Sequence, residues 1–399
     1  MPSIGKRIAN LAGIILADYP LCNWCLGRQF PSIKGDSNEV KGRAIREEVK
    51  VKAKKGSCFI CQDSMHSLKE NSVKILEQLK DYEFDDFLIG AKLPKDFIER
   101  EDSLRAKFKL RGGEAIKSEI TREIGKIIAS KTGKRVNFHK PDMTILVNLV
   151  SGGIDLNPKP LFVYGRYLKM VRGFPQKRRK CRNCRGKGCS ECEYTGFSKE
   201  QSVEQILAQN LIERFGAKGA KFTWVGGESS ESLVLGNGRP FYAEIVKPKL
   251  RHTDESEMLE EKESGIILKK IKIIDEIPKR SPNFMVKVSA HIKFDEEIDE
   301  EKLYTLKEKL QNSEVKVIPL KKKPFMKKIY EFDVEMINKR EAKATFKCDG
   351  GLNIKRLISG FYSNVGKDLL EITPNVSEVI GIKADCDAFD ILNVEVLNE

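Results

Sequence analysis

The chain lacks any apolar run close to the roughly 20 residues that a membrane-spanning helix needs. Residues 1–22 contain an apolar patch, but Asp18 and Pro20 interrupt it and no small-residue cleavage site follows it. The apolar spacing in this segment predicts an amphipathic helix rather than a signal peptide. We therefore expect a cytoplasmic protein without membrane contact, in which the cysteines are metal-bound or free thiols rather than disulfides.

Histidine is also scarce, and the four histidines that are present are scattered along the chain. None stands in a His-x-Glu pattern before the cysteine pairs, as a zinc-dependent nucleotide deaminase would require. No βαβ pattern surrounds the cysteine pairs, which argues against a thioredoxin-like redox site. No repeat with a period of about 20–50 residues is present either. We assign no histidine a catalytic role.

Positive charge, by contrast, is abundant. The 399 residues carry a net charge of +14, and the pI is about 9.1. Lysine and arginine release counterions when they meet phosphates, so this balance favours a polyanionic partner such as a nucleic acid. The alternative is a well-solvated, lysine-rich surface without a specific partner. With 40% hydrophobic residues, the chain is long enough to form two or three globular domains.

The pattern along the chain predicts a multidomain protein of mixed α/β (α+β) class with four regions. A cysteine-rich region spans residues 1–75 and includes a basic helical segment at 39–55. Helical and strand patterns fill residues 76–172, a basic cysteine-rich knuckle occupies 173–200, and strands alternate with helices in 201–399. The predicted elements are helices at 116–131, 203–215, 300–310 and, as an acidic solvated face, 255–263, and strands at 143–150, 242–246, 284–294 and 329–335.

Two CxxC pairs in the first region are formed by Cys22 with Cys25 and by Cys58 with Cys61, and 32 residues separate the pairs. Two such pairs can present four thiolates in a tetrahedron, which is the geometry that zinc prefers with sulfur ligands. We therefore predict a structural zinc site. The alternative is a set of reduced, partly buried cysteines that bind no metal.

A second quartet lies in the knuckle and consists of Cys181, Cys184, Cys189 and Cys192. Only four residues separate its two pairs, so the chain must reverse quickly, and the glycines in the spacer allow this. Lysines and arginines crowd the same loop, so that a bound zinc would fix a cationic surface able to contact phosphates. The alternative is a basic surface loop whose cysteines bind nothing.

Residues 80–172 contain FKLRGG at 108–113, a predicted helix after it, and PDMTILV at 141–147. Together these segments resemble a THUMP domain, a module that binds the acceptor end of transfer RNA. Arg111 lies beside two glycines, where cations and backbone amides can approach an RNA backbone. At 164–169 aromatic residues alternate with cations, which suits either stacking on unpaired bases or the core of a sheet.

These features are followed by LGNGRPF at 235–241, GGLNIKRLISG at 350–360 and PNVSEV at 374–379. Their order over nearly the whole chain resembles the tenth class of tRNA pseudouridine synthases, a family of archaeal and human-type enzymes. The resemblance implies a pseudouridine-synthase-like catalytic domain at 201–399 that isomerises uridines 54 and 55 in the T loop of tRNA. It implies no metal or organic cofactor in the chemistry. The glycines of LGNGRPF predict a tight turn.

The aspartate at the centre of the family's site is missing from this sequence. The family's GREDxDxR pattern falls on residues 226–233, which here are GGESSESL, so that Ser229 occupies the aspartate position. A serine hydroxyl needs an adjacent base to become a nucleophile, and Glu228 and Glu231 are the possible substitutes. A glutamate is one methylene longer than aspartate, and a misplacement of about 1 Å can cost about 100-fold in rate.

Other positions of the family's site differ as well. The two tyrosine positions fall on Phe284 and Asn353, and the residues beyond the C-terminal signature are replaced by FYSN at 361–364. Arg239 and Lys355 are retained as cations that could hold phosphate. We therefore expect the RNA- and substrate-binding residues to be Arg239, Phe284, Asn353, Lys355 and Arg111.

The sequence is consistent with two functions. The first is an active tRNA pseudouridine synthase whose catalytic carboxylate has moved to a glutamate. The second is a catalytically inactive relative that binds or folds tRNA and keeps the fold, the zinc sites and the cationic surface. The retained cations fit either function, whereas the joint loss of aspartate, arginines and tyrosines favours the second. The sequence identifies no protein partner.

Overall fold

The computed structural model describes residues 4–49, 51–252, 259–261, 264–319, 323–360 and 370–397. The chain divides into two compact units, of which the first comprises Met1–Lys159 and Lys249–Arg251 and the second Pro160–Pro248 and His252–Glu399. Both units combine helices with β-sheet, which confirms the mixed α/β class. No helix within the described residues is long and apolar enough to cross a membrane. The four region boundaries stay predictions.

The described part of the first unit contains six α-helices and four strands. The helices are α1 (Lys6–Asp18), α2 (Asn23–Gly27), α3 (Asn38–Glu48), α4 (Leu68–Leu79), α5 (Lys95–Phe108) and α6 (Ile116–Thr132). The strands are β1 (Asp86–Lys92), β2 (Arg135–Val136), β3 (Met143–Asn148) and β4 (Gly153–Pro158). The predicted N-terminal amphipathic helix, the helix at 116–131 and the strand at 143–150 are confirmed as α1, α6 and β3. Of the helical segment predicted at 39–55, only α3 is helical among the described residues, because Val49 already has extended backbone.

The strands of the first unit form a sheet in the order β2–β1–β3–β4. Strand β1 pairs in parallel with β2 and β3, and β3 pairs antiparallel with β4. Helix α6 has a buried isoleucine at every fourth position, and these are Ile116, Ile120, Ile124 and Ile128. The isoleucines and the cysteine pairs of this unit belong to one hydrophobic core. The first predicted region and the part of the second that lies in this unit therefore share a core.

The described part of the second unit contains eleven strands and four α-helices. The first strands are β5 (Leu161–Lys169), β6 (Gly219–Trp224), β7 (Val234–Val246), β8 (Leu259–Glu261), β9 (Ile266–Ile274) and β10 (Phe284–Phe294). The remaining strands are β11 (Ser313–Pro319), β12 (Phe325–Asn338), β13 (Glu341–Asp349), β14 (Leu370–Thr373) and β15 (Ala384–Val396). The helices are α7 (Val203–Phe215), α8 (Glu300–Leu310), α9 (Ile354–Ser359) and α10 (Val376–Ile380).

These strands join in one sheet, whose order over the described residues is β14–β11–β12–β13–β10–β15–β7–β5–β9–β8, with β6 paired to β7. Strands β15 and β7 run parallel and meet where Ile391 lies opposite Val234. The pairs on either side of this junction, β10 with β15 and β5 with β7, are antiparallel. The junction matters for function because the candidate site gathers around it.

The acidic stretch at 255–263 departs from the helix expected there. Residues Leu259–Glu261 form β8, which pairs antiparallel with β9. The hydrogen bonds between these two strands satisfy the backbone N–H and C=O groups that would bond within the segment if it were a helix. Residues 253–258 and 262–263 lie outside the described residues, as does FYSN at 361–364. The helices predicted at 203–215 and 300–310 and the strand at 284–294 are confirmed as α7, α8 and β10.

Candidate functional site

The loop between β6 and β7 carries the sequence GGESSES at residues 226–232. It begins at Gly226, whose φ of 75° lies in the left-handed region. A Cβ at this position would come within 2.7 Å of the Phe284 ring and would also meet the Arg239 guanidinium. Glycine therefore lets the loop pass between these two side chains.

The LGNGRPF segment lies within strand β7 and does not form a turn between two strands. Gly236 and Gly238 have φ values of 60° and 77°, and the register between β5 and β7 shifts between Tyr167 and Lys169. The glycines therefore form a bulge in a strand whose pairing with β5 continues on both sides. This corrects the tight turn expected from the sequence. After the bulge, Arg239 points toward the 226–232 loop.

Beside this loop, Glu228, Arg239, Tyr167 and Gln176 form a buried polar cluster. Glu228 Oε1 accepts a hydrogen bond from the Tyr167 hydroxyl at 2.6 Å, and Glu228 Oε2 lies 2.7 Å from Arg239 Nε. Gln176 donates from its side-chain amide to the Tyr167 hydroxyl at 3.1 Å and to Glu228 Oε2 at 3.4 Å. The Glu228 side chain is 0% exposed, and its burial is tolerated because its charge is paired. Burial and the nearby Glu228 carboxylate hold the pKa of Tyr167 well above its usual range.

Arg239 also holds the backbone of the loop. Its two terminal nitrogens donate to the carbonyl oxygens of Val225 at 2.8 Å and of Gly227 at 3.1 Å. The side chain is 2% exposed. Each of the three guanidinium nitrogens is thus directed at a group within the loop, so that Arg239 fixes the position of the loop and of Glu228 together.

Lys169 provides a second buried cation under the same loop. Its Nζ donates to the carbonyl oxygens of Ser229 at 3.0 Å, Ser230 at 2.9 Å and Phe174 at 2.7 Å. The backbone N–H of Gly173 donates to the Ser230 carbonyl at 2.9 Å. Burial lowers the pKa of Lys169. The three carbonyls nevertheless match the three donors of an ammonium group, which ties the loop to residues 173–174.

A cavity of about 470 Å³ borders the loop. This volume falls within the range of about 300–1,000 Å³ typical of small-molecule sites. The apolar part of its lining includes Phe284, Val286, Leu352, Ile354 and Ile391. The polar part of its lining includes Glu228, Ser229, Arg239, Asn353 and Lys355. Residues that are far apart in sequence therefore meet around one space.

The wall opposite the loop comes from the start of β10 and from α9. Phe284 packs against the backbone of Gly226 and Gly350, since a Cβ on either glycine would overlap its ring. Asn353 is the N-cap of α9, and its Oδ1 accepts a hydrogen bond from the N–H of Arg356 at 3.1 Å. Lys355, in the first turn of the same helix, also lines the cavity, and its Nζ donates to the Asp387 carbonyl at 2.9 Å.

Two family models match the chain: "Pus10 THUMP domain, archaeal" matches residues 72–148, and "Pus10, C-terminal" matches residues 162–395. A relative from Nitrosopumilus maritimus, named tRNA pseudouridine synthase Pus10, is 33% identical over 393 residues, covering 98% of this chain and 99% of the relative. The chain belongs to the Pus10 family. A relative of the same name from Cenarchaeum symbiosum is 30% identical over 378 residues, covering 95% of this chain and 90% of the relative. One from Pyrococcus furiosus is 29% identical over 404 residues, covering 97% and 98%.

The Pus10 membership confirms the family inferred from the order of the sequence motifs. It also confirms a THUMP domain in the first unit, where the matched residues 72–148 include β1, α5, α6 and β3. The roles of individual residues in this chain are a separate question, because the sequence differs from the family pattern where the aspartate is expected.

The three candidate catalytic residues lie in different environments. Ser229 lines the cavity, and its hydroxyl accepts a hydrogen bond from the backbone N–H of Glu231 at 3.2 Å. Glu228 also borders the cavity, but its carboxylate is buried and paired with Arg239. Glu231 is exposed and lies outside the described lining. Within that described lining, Glu228 is the one acidic residue, and a catalytic role for any of the three stays a prediction.

The expected binding residues fall into different places. Phe284, Asn353 and Lys355 line the cavity together. Arg239 lines it too, but a phosphate could reach its guanidinium only if the pairing with Glu228 and the loop carbonyls were broken. We therefore interpret Arg239 as a positioning residue. Arg111 lies in the first unit, where it is exposed.

Sequence reasoning missed Tyr167, Lys169 and Gln176. The first two lie in the segment at 164–169, where aromatic residues alternate with cations. The sequence allowed two interpretations of that pattern, stacking on bases or the core of a sheet. Burial alternates along β5, and both Tyr167 and Lys169 lie on its buried face, so the sheet-core interpretation is correct for Tyr167. A lysine in phase with buried positions of a strand indicates an internal partner. No local pattern marks Gln176, whose role depends on long-range contacts.

Both cysteine quartets have a geometry that suits zinc. Within each quartet the four sulfur atoms lie within 4.8 Å of one another. The Sγ atoms of Cys22 and Cys61 are 3.7 Å apart, and those of Cys184 and Cys192 are also 3.7 Å apart. Tetrahedral zinc with Zn–S bonds of about 2.3 Å would place its sulfurs about 3.8 Å apart. Each quartet could therefore hold one ion, compatible with the structural zinc predicted from the sequence.

The first quartet is joined to the THUMP domain by a buried arginine. Arg28, which is 1% exposed, donates from Nη1 to the Cys25 sulfur at 3.0 Å and to Glu119 of α6 at 3.2 Å. Its Nε donates to Glu101 of α5 at 2.6 Å. A cation in this place offsets the negative charge of the thiolates and of the two carboxylates. The cysteine pairs and both THUMP helices are thus connected by one side chain.

Proposed function

We propose that this chain binds tRNA and receives uridines 54 and 55 of the T loop in the cavity beside Ser229. The observation that carries this proposal is the convergence of distant segments on that one cavity. Residues 227–229, Arg239 in β7, Phe284 at the start of β10 and residues 351–355 all line it. These are the segments on which the resemblance to pseudouridine synthases rests.

The lining suits a nucleotide that has been turned out of its stack. A flipped base is held between aromatic and apolar side chains, and Phe284 with Leu352 and Ile354 provides such surfaces. Lys355 adds a cation that can contact a phosphate. Asn353 both caps α9 and brings an amide group to the cavity. Its amide N–H groups can donate to a uracil carbonyl.

The reaction we propose is the isomerisation of uridine to pseudouridine. The bond between C1′ and N1 breaks, the uracil turns, and a bond forms between C1′ and C5. The proton that leaves C5 ends on N1, so that no co-reactant is consumed. An ionised carboxylate beside the flipped nucleotide is needed as nucleophile or as base. Among the described residues that line this cavity, Glu228 supplies the carboxylate, and it must leave Tyr167 and Arg239 to reach the nucleotide.

A second candidate function is tRNA binding without isomerisation. The observation that favours it is the state of Glu228, whose side chain is 0% exposed and whose oxygens contact Tyr167 and Arg239. A hydroxyl at the aspartate position cannot replace a carboxylate without an adjacent base. In this alternative the cavity still binds the T loop, and the buried Glu228 serves only to hold the loop.

The experiment that tests the proposal maps pseudouridine by position in an unmodified tRNA transcript incubated with wild-type protein and four variants. We expect product at positions 54 and 55 from the wild type, Ser229→Ala and Glu231→Gln, and none from Glu228→Gln. Ser229→Asp restores the residue of the family pattern. It should raise the rate by about 100-fold, since a misplacement of about 1 Å costs about that much.

The outcomes separate the two candidate functions. Product from Ser229→Asp but not from the wild type would establish tRNA binding without isomerisation. Product that persists in Glu228→Gln would remove Glu228 from the chemistry. Absence of both product and tRNA binding in every protein would contradict both functions. A thermal unfolding curve for Glu228→Gln is the necessary control, because this variant leaves Arg239 without its charged partner.

We also propose that both quartets hold structural zinc and that no metal takes part in the chemistry. Metal analysis of purified protein should give about two zinc ions per chain, one for each quartet. A metal-free protein with an unchanged unfolding temperature would contradict this. With tRNA as its substrate, the protein is expected to work in the cytoplasm.

A further inference from the structure

The knuckle, residues 173–200, exposes a large positive charge. It contains eight lysines and arginines against three glutamates. Two of the glutamates pair within the knuckle, Glu193 with Lys199 at 2.9 Å and Glu200 with Arg179 at 3.1 Å. The exposed cations beyond these pairs are Lys177, Lys180, Arg182, Arg185 and Lys187. An anionic partner is therefore favoured at this surface.

The same segment carries an exposed aromatic residue. Tyr194 is 79% exposed, although tyrosine is usually at least half buried in a folded protein. Its backbone is fixed, because its N–H donates to the Cys189 carbonyl at 2.8 Å. Its carbonyl lies so close to Gly188 that a Cβ on Gly188 would meet it at 2.8 Å. Since Gly188 directly follows Lys187, the backbone of Tyr194 lies beside the backbone of the cationic segment.

The base of the knuckle is tied to the loop that borders the cavity. Gln176, near the N-terminal end of the knuckle, donates to Tyr167, to Glu228 and to the Gly226 carbonyl at 3.1, 3.4 and 3.4 Å. Lys169 binds the carbonyls of Phe174 and of the loop at once. The side of the knuckle nearest the cavity is thus held by the same buried cluster that shapes the loop.

We propose that the surface formed by Tyr194, Arg182, Arg185 and Lys187 binds an unpaired stretch of the RNA whose uridine occupies the cavity. In this proposal Tyr194 stacks on a base and the three cations contact the flanking phosphates. Stacking on exposed aromatic rings with cations beside them is how proteins hold unpaired nucleotides. The proposal rests on the proposed function, because it assigns a second contact to the same tRNA.

The test measures the affinity of the full-length, zinc-loaded protein for an unmodified tRNA transcript at several salt concentrations. Tyr194→Asn removes the ring while tolerating the left-handed backbone, in which φ is 61°. It should weaken binding about tenfold, whereas Tyr194→Trp, which keeps a ring, should stay within about twofold of wild type. The matched control is Tyr304→Asn, which removes a 63% exposed tyrosine from α8 in the same unit and should leave the affinity unchanged.

The cations are tested by a triple variant with alanine at 182, 185 and 187. The slope of log affinity against log salt should become shallower by about 2 to 3, because about one counterion is released for each phosphate contact. A control triple variant with alanine at the exposed lysines 309, 316 and 343 should keep the wild-type slope. Zinc content and circular dichroism should match wild type in all variants, which excludes loss of the fold as the cause.

Unchanged affinity in Tyr194→Asn, or equal effects in the knuckle and control variants, would overturn the inference. It would also be overturned if the knuckle variants lost binding to vesicles containing phosphatidylserine but kept binding to tRNA. If wild type fails to bind the tRNA transcript, the proposed function fails. The same variants are then compared for binding to an unstructured single-stranded RNA. If Tyr194→Asn weakens binding to that RNA, the knuckle surface is still an RNA site.

Discussion

Cations contact the loop at 226–232 and lie within the knuckle at 173–200, but those at the loop are buried and most of those in the knuckle are exposed. At the loop, Arg239 and Lys169 are buried, and their nitrogens bind a carboxylate and backbone carbonyls. In the knuckle, Arg182 and Arg185 are exposed. A buried cation fixes the geometry of a site, whereas an exposed one contributes affinity for an anionic partner. The net charge of +14 does not distinguish the two.

The largest effect should follow from Arg239→Met, which removes a buried cation and leaves the Glu228 carboxylate unpaired. Breaking a buried pair in this way costs about 3–5 kcal/mol of unfolding free energy. The measurement is denaturant unfolding of both proteins. Arg182→Met in the knuckle serves as the control and should change stability by no more than about 0.5 kcal/mol.

This comparison would break if Arg239→Met proved as stable as wild type while its affinity for tRNA fell with a shallower salt dependence. Arg239 would then contact a phosphate, as the sequence alone suggested, and its burial against Glu228 would not describe the protein in solution.

A smaller effect is expected from Lys169→Met. The carbonyls of Phe174, Ser229 and Ser230 lose their donor, which costs about 1–3 kcal/mol. The loss should stay below that of Arg239→Met, because burial disfavours the charged lysine, as its lowered pKa indicates. Amide hydrogen exchange should quicken at residues 226–232. Unaltered exchange there would show that Lys169 does not hold the loop.

The smallest effect on stability is expected from Cys189→Ser in the knuckle. Zinc content should fall from about two ions per chain to about one, because a tetrahedral site loses a ligand. The zinc that is lost stabilises the knuckle itself, so the knuckle should unfold locally and tRNA affinity should fall. The free energy of global unfolding should change by less than about 1 kcal/mol, since Cys189 lies outside the described hydrophobic cores. Cys58→Ser, in the core of the first unit, is the contrasting variant and should destabilise that unit strongly.

Much of the fold could be predicted from local periodicity. Buried isoleucines spaced by four residues indicated α6, and alternating apolar residues indicated β3 and β10. The bulge in β7 could not be predicted, because Gly236 and Gly238 suit a turn and a bulge equally well in isolation. Pairing with β5 decides between the two, and that pairing depends on residues about 70 positions away.

For the site, the motifs indicated which segments would meet but not what each side chain would do. Phe284, Asn353 and Lys355 line one cavity with Ser229, and their roles in binding stay predictions. The burial of Arg239 could not be predicted from the sequence. An arginine next to a glycine-rich motif has the same sequence pattern whether it binds a phosphate or a carboxylate within the protein. Its partner, Glu228, faces it because the bulge and the loop meet in three dimensions.

The most direct test of where the T loop binds is a photo-crosslinking experiment. A tRNA transcript with 4-thiouridine at position 55 is bound to wild-type protein and irradiated, and the crosslinked peptides are sequenced. We predict crosslinks to the peptides that contain Phe284 and residues 351–355, which line the cavity beside Ser229. Crosslinks confined to other peptides, with these two left unmodified, would contradict the assignment of the cavity to the T-loop uridines.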